Sequence, residues 1–332
     1  MRIGLVGIGR IGAFHAETLA GLPEVGGIVL TDPDQARAQS VAEKVGAQLV
    51  PDVTALLATG VDGVVIAAPT PAHAELIRRA ATTGLPVFCE KPIAPDVAGT
   101  RAVLAEVATA NIPLQMGFQR RFDAGYQAVR AAVQAGGLGW LHTLRACTAD
   151  PAPPHADYIP TSGGIFRDCS VHDFDIIRWV TGREVTEVYA TGANRGAAFF
   201  AEAGDVDTGV AVLTLDDGSL AVCTATRYNG AGYDVRLEAC GSAGTLVAGL
   251  DDHAPLASAE GAAWPAGRPY SGFMERFRSA YAAELSAFCD VVAGRAATPC
   301  SGKDALEALL VAEAADRSRH ERRPVRIEEV RG

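Results

Sequence analysis

Ile3-Gly4-Leu5-Val6-Gly7-Ile8-Gly9-Arg10-Ile11-Gly12 stands almost at the start of the chain, and its three spaced glycines decide how the rest is read. Ile3 to Val6 is an apolar run of strand length, and Phe14 to Leu22 has helical apolar spacing that stops before Pro23. Gly7, Gly9 and Gly12 therefore occupy Gly-x-Gly-x-x-Gly spacing between a strand and a helix, where a dinucleotide fingerprint belongs. The first glycine permits a tight turn, the second lets backbone approach a pyrophosphate, and the third lets helix and strand pack closely. Arg10 and Ile11 open the helix, whose N-terminus faces the phosphates. Such glycines also occur in ordinary turns, so a second signal is needed. Asp32 supplies it: it closes the next apolar run, Gly27 to Leu30, and lies 20 residues past Gly12 (32 − 12 = 20). That is the spacing of the acid that binds adenosine ribose hydroxyls. A carboxylate there repels the 2′-phosphate of NADP, and Thr31-Asp32-Pro33-Asp34-Gln35 places no Arg directly after it, so NAD is the expected cofactor.

Outward from this point strand and helix alternate. Helices are expected over Pro33 to Val45, Pro71 to Thr83 and Val97 to Ala110, and strands over Val61 to Ala67, Val87 to Cys89 and Leu114 to Gly117. The rhythm predicts an α/β fold: an N-terminal Rossmann domain over residues 1–120, with a doubly wound parallel sheet covered by helices. After Phe122 the character changes. A helix near Tyr126 to Gln134 and a strand near His142 to Cys147 lead into a Pro-rich connection, Pro151 to Pro160, and then a further helix. Strand-like runs follow at Val185 to Thr191, Val206 to Leu215, Ser219 to Arg227, Tyr233 to Cys240 and Gly244 to Ala248. They predict a C-terminal α+β domain over 121–332 with a large, mostly antiparallel open sheet. Helices over Phe273 to Val291 and Lys303 to Arg317 and a short strand, Val325 to Ile327, close the chain, the C-terminal helix being free to pack back on the first domain. A sheet with one open face suits a homo-oligomer, a dimer or tetramer.

Composition bounds the partners. The 332 residues are 48% hydrophobic and 20% charged, with a formal charge of −10. Apart from the Arg-rich stretch between Arg317 and Arg323 there is no basic cluster, which argues against nucleic acid and anionic membranes. The seven cysteines, at 89, 147, 169, 223, 240, 289 and 300, form no C-x-x-C pair and are odd in number. They suit neither a disulfide framework nor a zinc site, and a reducing cytoplasm is the expected location. Arg10 and the glycines interrupt the opening apolar stretch before it reaches signal-peptide form, and no later run spans a membrane.

The chemistry concentrates in Gly163-Gly164-Ile165-Phe166-Arg167-Asp168-Cys169-Ser170-Val171-His172-Asp173-Phe174-Asp175. On a helix, Asp168, His172, Asp175 and Trp179 would share one face, and Val171, Phe174, Ile177 and Val180 another. One stripe is suited to react, the other to pack. An ordinary surface ion pair between Asp168 and His172 is the alternative. A metal site is another, but the stretch lacks the further histidines that it needs, and no metal is expected. Cys89-Glu90-Lys91-Pro92 follows an expected strand, and strand ends of a doubly wound sheet lie on the ligand side. His15 reads as a helix-packing residue.

Taken together, the fingerprint, Ala68-Pro69-Thr70-Pro71-Ala72-His73, Glu90-Lys91-Pro92 and Gly-Gly-x-x-x-Asp-x-x-x-His resemble the glucose-fructose oxidoreductase/inositol dehydrogenase/rhizopine-catabolism (Gfo/Idh/MocA) family over essentially the whole chain. Gly117-Phe118-Gln119-Arg120-Arg121-Phe122-Asp123 and the Asp168 to Asp175 segment look most like its inositol 2-dehydrogenases. The resemblance implies a catalytic set of Lys91, Asp168 and His172, with Arg120, Asp175 and Tyr233 on substrate hydroxyls. It also implies that Thr70, His73, Glu90, Lys91 and Gln119 contact the cofactor, although Thr70 could instead cap its helix. Chemistry independently suits these roles. Oxidising a secondary alcohol needs a base for the hydroxyl proton, here His172, a cation beside the oxygen, here Lys91, and a carboxylate to orient the base, here Asp168.

The implied substrate is a small cyclic polyol, myo-inositol oxidised to its 2-keto product, with scyllo-inositol, another inositol derivative or a pyranose sugar as alternatives. An NAD-binding regulator without turnover is the alternative of another class, against which the presence of Lys91, Asp168 and His172 speaks. Where some inositol dehydrogenases carry His-Arg-Asn-Pro, this chain has Thr148-Ala149-Asp150-Pro151, so no contact is assigned to Asp150. Asp157 and Tyr158 lie in the Pro-rich connection, where a loop can close over a substrate.

Overall fold

The apolar runs separated by Gly and Pro become strands that fall into two units. The computed structural model describes residues 1–261 and 267–332. Residues 1–119 with 279–306 form the first unit, and 120–278 with 307–332 the second.

In the first unit β1 (Arg2–Val6), β2 (Gly27–Thr31), β3 (Gln48–Leu49), β4 (Gly63–Ile66), β5 (Val87–Glu90) and β6 (Leu114–Gly117) make a parallel sheet in the order β3-β2-β1-β4-β5-β6. Its strands are mostly apolar because both faces are covered: Ile3, Leu5, Leu30, Val65 and Phe88 have no exposed surface. The helices are α1 (Arg10–Ala20), α2 (Gln35–Val45), α3 (Val53–Leu57), α4 (Thr70–Ala81) and α5 (Val97–Ala110). Strand order reverses between β1 and β4, and ligands of such sheets bind at that switch, beyond the carboxyl ends of the strands. Gly7, Asp32 and Lys91 directly follow the carboxyl ends of β1, β2 and β5. The later helix Arg278–Val292 completes this core, its Leu285, Phe288 and Val291 packing with Ile3, Leu5 and Phe88. Phe88 and Phe288 lie with ring centroids 5.9 Å apart, and full burial of such a side chain contributes about 1.5–3 kcal/mol.

In the second unit β7 (Leu141–Ala149), β8 (Val185–Ala193), β9 (Thr208–Leu215), β10 (Leu220–Thr226), β11 (Asp234–Gly241), β12 (Gly244–Ala248) and β13 (Val325–Arg326) form a sheet in the order β12-β11-β7-β10-β9-β8-β13. As expected it is mostly antiparallel; β7 and β10 pair in parallel. Alternation sets the faces, with Leu144, Val188, Leu213 and Leu237 fully buried on one side. Tyr189 and Val212, directly paired across β8 and β9, are 46% and 39% exposed on the other.

Two helical expectations change. The segment bearing Asp168 is not regular α-helix: Phe166–Ser170 is a π-helical turn, followed by an α-helix over Val171–Thr181. The wider turn shifts side chains before it out of phase with those after it. The packing stripe survives, with Val171, Phe174, Ile177 and Val180 all buried, but Asp175 of the other stripe is buried too. The helix expected over Phe273 to Val291 breaks at Phe277, which leaves helical geometry (φ −108°, ψ 18°) and buries its ring beneath the guanidinium groups of Arg120 and Arg276. Among the described residues no helix is long and apolar enough to cross a membrane.

Candidate functional site

At the head of the first unit the glycines do what their spacing predicts. Gly7 has φ +91°, and a Cβ on it would meet the Ala68 backbone at 2.6 Å; one on Gly12 would lie 1.9 Å from the Gly7 carbonyl oxygen. A Cβ on Gly9 would meet nothing within 4 Å, so this residue borders open space. Gly9 is also the N-cap of α1 and makes no side-chain cap bond, which leaves the amides of the first turn to an anion. Arg10 is exposed there and Ile11 partly so. This arrangement fits a pyrophosphate.

Asp32 is 5% exposed. Its Oδ2 accepts from the Ile8 amide at 2.6 Å, and its Oδ1 from the Asp34 amide at 2.8 Å and from Arg37 Nη2 at 2.7 Å. Burial works to raise its pKa, yet the two amides and the Arg37 guanidinium hold the carboxyl below its usual range. Arg37 lies five residues on, in α2, and only the fold of the helix turns it back to the acid.

At the ends of β4 and β5, Thr70 is the first residue of α4 and Pro69 its N-cap, with no side-chain cap bond, so the capping alternative for Thr70 is not observed. His73 is 1% exposed; its Nδ1 lies 2.6 Å from the Pro92 carbonyl oxygen and its Nε2 2.6 Å from that of Ala68. It ties the loops after β4 and β5 together, with both ring nitrogens committed to backbone. His15, fully buried among Phe14, Phe88 and Tyr281, brings Nε2 to 2.6 Å from Glu90 Oε1, so it fixes a carboxylate as well as packing a helix. Lys91 is partly exposed, whereas Gln119 is 4% exposed.

In the second unit a cluster of carboxylates and guanidinium groups surrounds Asp168. The Tyr158 hydroxyl donates to its Oδ1 at 2.9 Å, and Arg227 Nη2 donates to its Oδ2 at 2.6 Å. Arg227 Nη1 donates to Asp150 Oδ2 at 2.9 Å, so one guanidinium bridges two carboxylates. Burial lifts the Asp150 carboxyl above its usual range although Arg227 opposes the shift. Asp168 and His172 are partly exposed. Asp157 is exposed, and its neighbour Tyr158 is the residue that reaches the cluster.

Arg120 and Asp175 stand deeper than a substrate-contact role implies. Arg120, 2% exposed, donates through Nη1 to Asp173 Oδ1 at 2.5 Å and through Nη2 to Thr148 Oγ1 at 2.9 Å, while Thr148 Oγ1 donates to Asp173 Oδ2 at 2.8 Å. Thr148, the first residue of the divergent stretch, thus closes a buried triangle. Asp175, 1% exposed, accepts from Arg121 Nε at 2.8 Å and Nη2 at 2.5 Å. The two-pronged pairing with Arg121 holds it in the interior. Tyr233 is 5% exposed, and burial lifts its phenol above the ordinary range, so it remains a hydrogen-bond donor. Among the described residues no group of three or more His, Cys, Asp or Glu could hold a metal ion.

Residues 1–118 match the oxidoreductase family with NAD-binding Rossmann fold, and residues 126–247 match the GFO/IDH/MocA C-terminal domain. The chain belongs to the Gfo/Idh/MocA oxidoreductases. This Gfo/Idh/MocA protein is an NAD-dependent dehydrogenase, with an NAD-binding Rossmann domain at its N-terminus. It is 40% identical over 321 residues to the myo-inositol dehydrogenase Hyg17 of Streptomyces leeuwenhoekii, covering 96% of this chain and 97% of the relative. It is 37% identical over 334 residues to the myo-inositol 2-dehydrogenase of Thermotoga maritima, covering 100% of both. Its fold is similar to that of scyllo-inositol dehydrogenase from Lactobacillus casei with bound NAD(H) and scyllo-inositol, with a TM-score of 0.90, 30% identity and coverage of 99% of each chain.

Proposed function

We propose that this dehydrogenase oxidises a secondary hydroxyl of an inositol, with myo-inositol to its 2-keto product as the leading reaction. The observation that carries this reading is likeness over nearly the whole chain to proteins named for inositol oxidation. The Gly7, Gly9 and Gly12 turn with Arg10 and Ile11 would hold the pyrophosphate of NAD, Asp32 the adenosine ribose, and Thr70, Glu90, Lys91 and Gln119 the nicotinamide half, with His73 bracing them. Bound NAD supplies the hydride acceptor. His172 takes the hydroxyl proton, Lys91 donates a hydrogen bond to the oxygen and stabilises developing alkoxide, and Asp168 orients His172. Tyr233 donates to a neighbouring ring hydroxyl. Arg120 and Asp175, committed to Asp173 and Arg121, act from within those pairs by fixing the walls around the substrate. Seven free cysteines suit a reducing cytoplasm.

A spectrophotometric screen for NADH with myo-inositol, scyllo-inositol, other inositols and pyranose sugars tests the reading. NADH formation with an inositol is expected, whereas silence across the panel with NAD bound would favour a regulator. Run with NADP, the same assay is expected to give a lower kcat/KM than with NAD. Asp32→Ala should narrow that preference by at least about tenfold, because it removes the repelling carboxylate and releases Arg37 toward a 2′-phosphate. An unchanged ratio would count against Asp32 as the discriminating residue.

Self-association is part of the same reading. The open face of the second sheet carries Tyr189, Val212 and Leu220, each 39% exposed or more, and supports a homo-oligomer, a dimer or tetramer. Light scattering on a size-exclusion column is expected to give a multiple of the chain mass, and a monomer at micromolar concentration would refute it.

A further inference from the structure

We propose that Arg227 is a positioning residue of the reaction, holding Asp168 in the orientation from which it serves His172. The inference rests on the assignment of Asp168 and His172 made above. Arg227 is 4% exposed and follows β10 directly. Its two terminal nitrogens go to two different carboxylates, Asp150 at 2.9 Å and Asp168 at 2.6 Å. A guanidinium is planar, and its donors diverge in fixed directions, so two simultaneous partners determine where the second carboxylate must lie.

The brace behind this arrangement is rigid. β7 and β10 pair in parallel with Ala149 opposite Thr226, so Asp150 and Arg227 are the next residues of paired strands. The Asp150 amide donates to the Thr226 carbonyl at 2.9 Å, and the Arg227 amide to the Asp207 carbonyl at 2.8 Å. Asp168, in contrast, sits on a π-helical turn, and its other oxygen is bound by Tyr158, which is 43% exposed and belongs to the Pro-rich connection. Of its two named partners, Arg227 is the one anchored to the sheet.

Energetics argue against a purely stabilising role. Two carboxylates on one buried guanidinium leave a net negative charge, and a desolvated cluster of this kind is often less stable than well-packed apolar residues of the same volume. One carboxylate, Asp150, already ties Arg227 to the paired strand. The second is Asp168.

The test is a double-mutant cycle on the full chain, read as steady-state kcat and KM with NAD and the panel substrate that gives the fastest NADH formation. Arg227→Met is expected to lower kcat by about 10- to 100-fold with KM for NAD within about twofold, and Arg227→Lys, which keeps the charge but not the planar fork, to recover only a minor part of the loss. In an Asp168→Asn background, Arg227→Met should cost no more than about threefold, since its target is already disabled. An equal loss in both backgrounds, or a loss below threefold in the wild-type background, overturns the proposal while leaving Asp168 in its role. Unchanged kcat in Asp168→Asn, or silence across the panel, overturns both the proposal and the reading on which it rests. If Arg227→Met does not fold, Asp150→Asn/Arg227→Met removes one of the two facing carboxylates and takes its place in the cycle, with Asp150→Asn as its reference.

Discussion

Replacing His172 with alanine is expected to lower kcat by a factor of about 10² to 10⁴ while NAD binding persists. The hydroxyl proton needs an acceptor near neutral pH, a task that imidazole meets and guanidinium does not. Lys91→Met should be at least comparably damaging. Of the 29 basic residues, 26 are arginines and three are lysines, Lys44, Lys91 and Lys303. The buried pairs around Asp173, Asp175 and Asp168 all use arginine, which keeps its proton. A lysine at the end of β5 is therefore chemically distinct from the cations of those pairs: a compact ammonium that can donate to an oxygen as charge develops on it. Steady-state kinetics together with NAD titration by fluorescence separate chemistry from assembly. A folded His172→Ala protein with unaltered kcat would remove the imidazole from the mechanism.

The second large effect concerns stability. Arg121→Leu is expected to destabilise the second unit by about 3–5 kcal/mol, because it strands the Asp175 carboxylate, 1% exposed, without its two-pronged partner. For a unit of this size that corresponds to a fall in Tm of roughly 6–20 °C. Arg121→Leu/Asp175→Leu should recover most of the loss, since removing both charges abolishes the desolvation cost that one alone imposes. Differential scanning calorimetry of the two single variants and the double variant decides the matter. If Arg121→Leu melts within about 2 °C of the parent, the pair contributes little to folding.

These residues also show what the sequence discloses and what it withholds. The fingerprint and Asp32 are legible because strand, turn, helix and second strand follow one another within some thirty residues, and each constraint is local. The strands of the second sheet are legible from alternation, as in Thr208 to Leu215, whose buried residues fall on every second position. β3, two residues long, and α3, five, are too short for periodicity to register. The π-helical turn preserves helical composition while changing phase, so Asp168 leaves the stripe of the helix that follows it, and Asp175 is held inside by Arg121, 54 residues away in sequence. Arg227 lies 59 residues from Asp168, and nothing nearby marks it; it reaches the cluster only because β10 pairs in parallel with β7. The roles of Arg37 and His15 likewise depend on partners that only folding supplies.

The core of the first unit is finished by Leu285, Phe288 and Val291, residues made long after the sheet they cover. During synthesis the ribosome must add 172 further residues between Gln119 and Val291 (291 − 119 = 172). At about 5–20 residues per second this takes roughly 9–34 s. Throughout that interval the emerging nucleotide-binding sheet presents an apolar face without its last covering helix. The nascent chain therefore passes through a stage in which chaperone engagement and aggregation compete with completion of its first-made half.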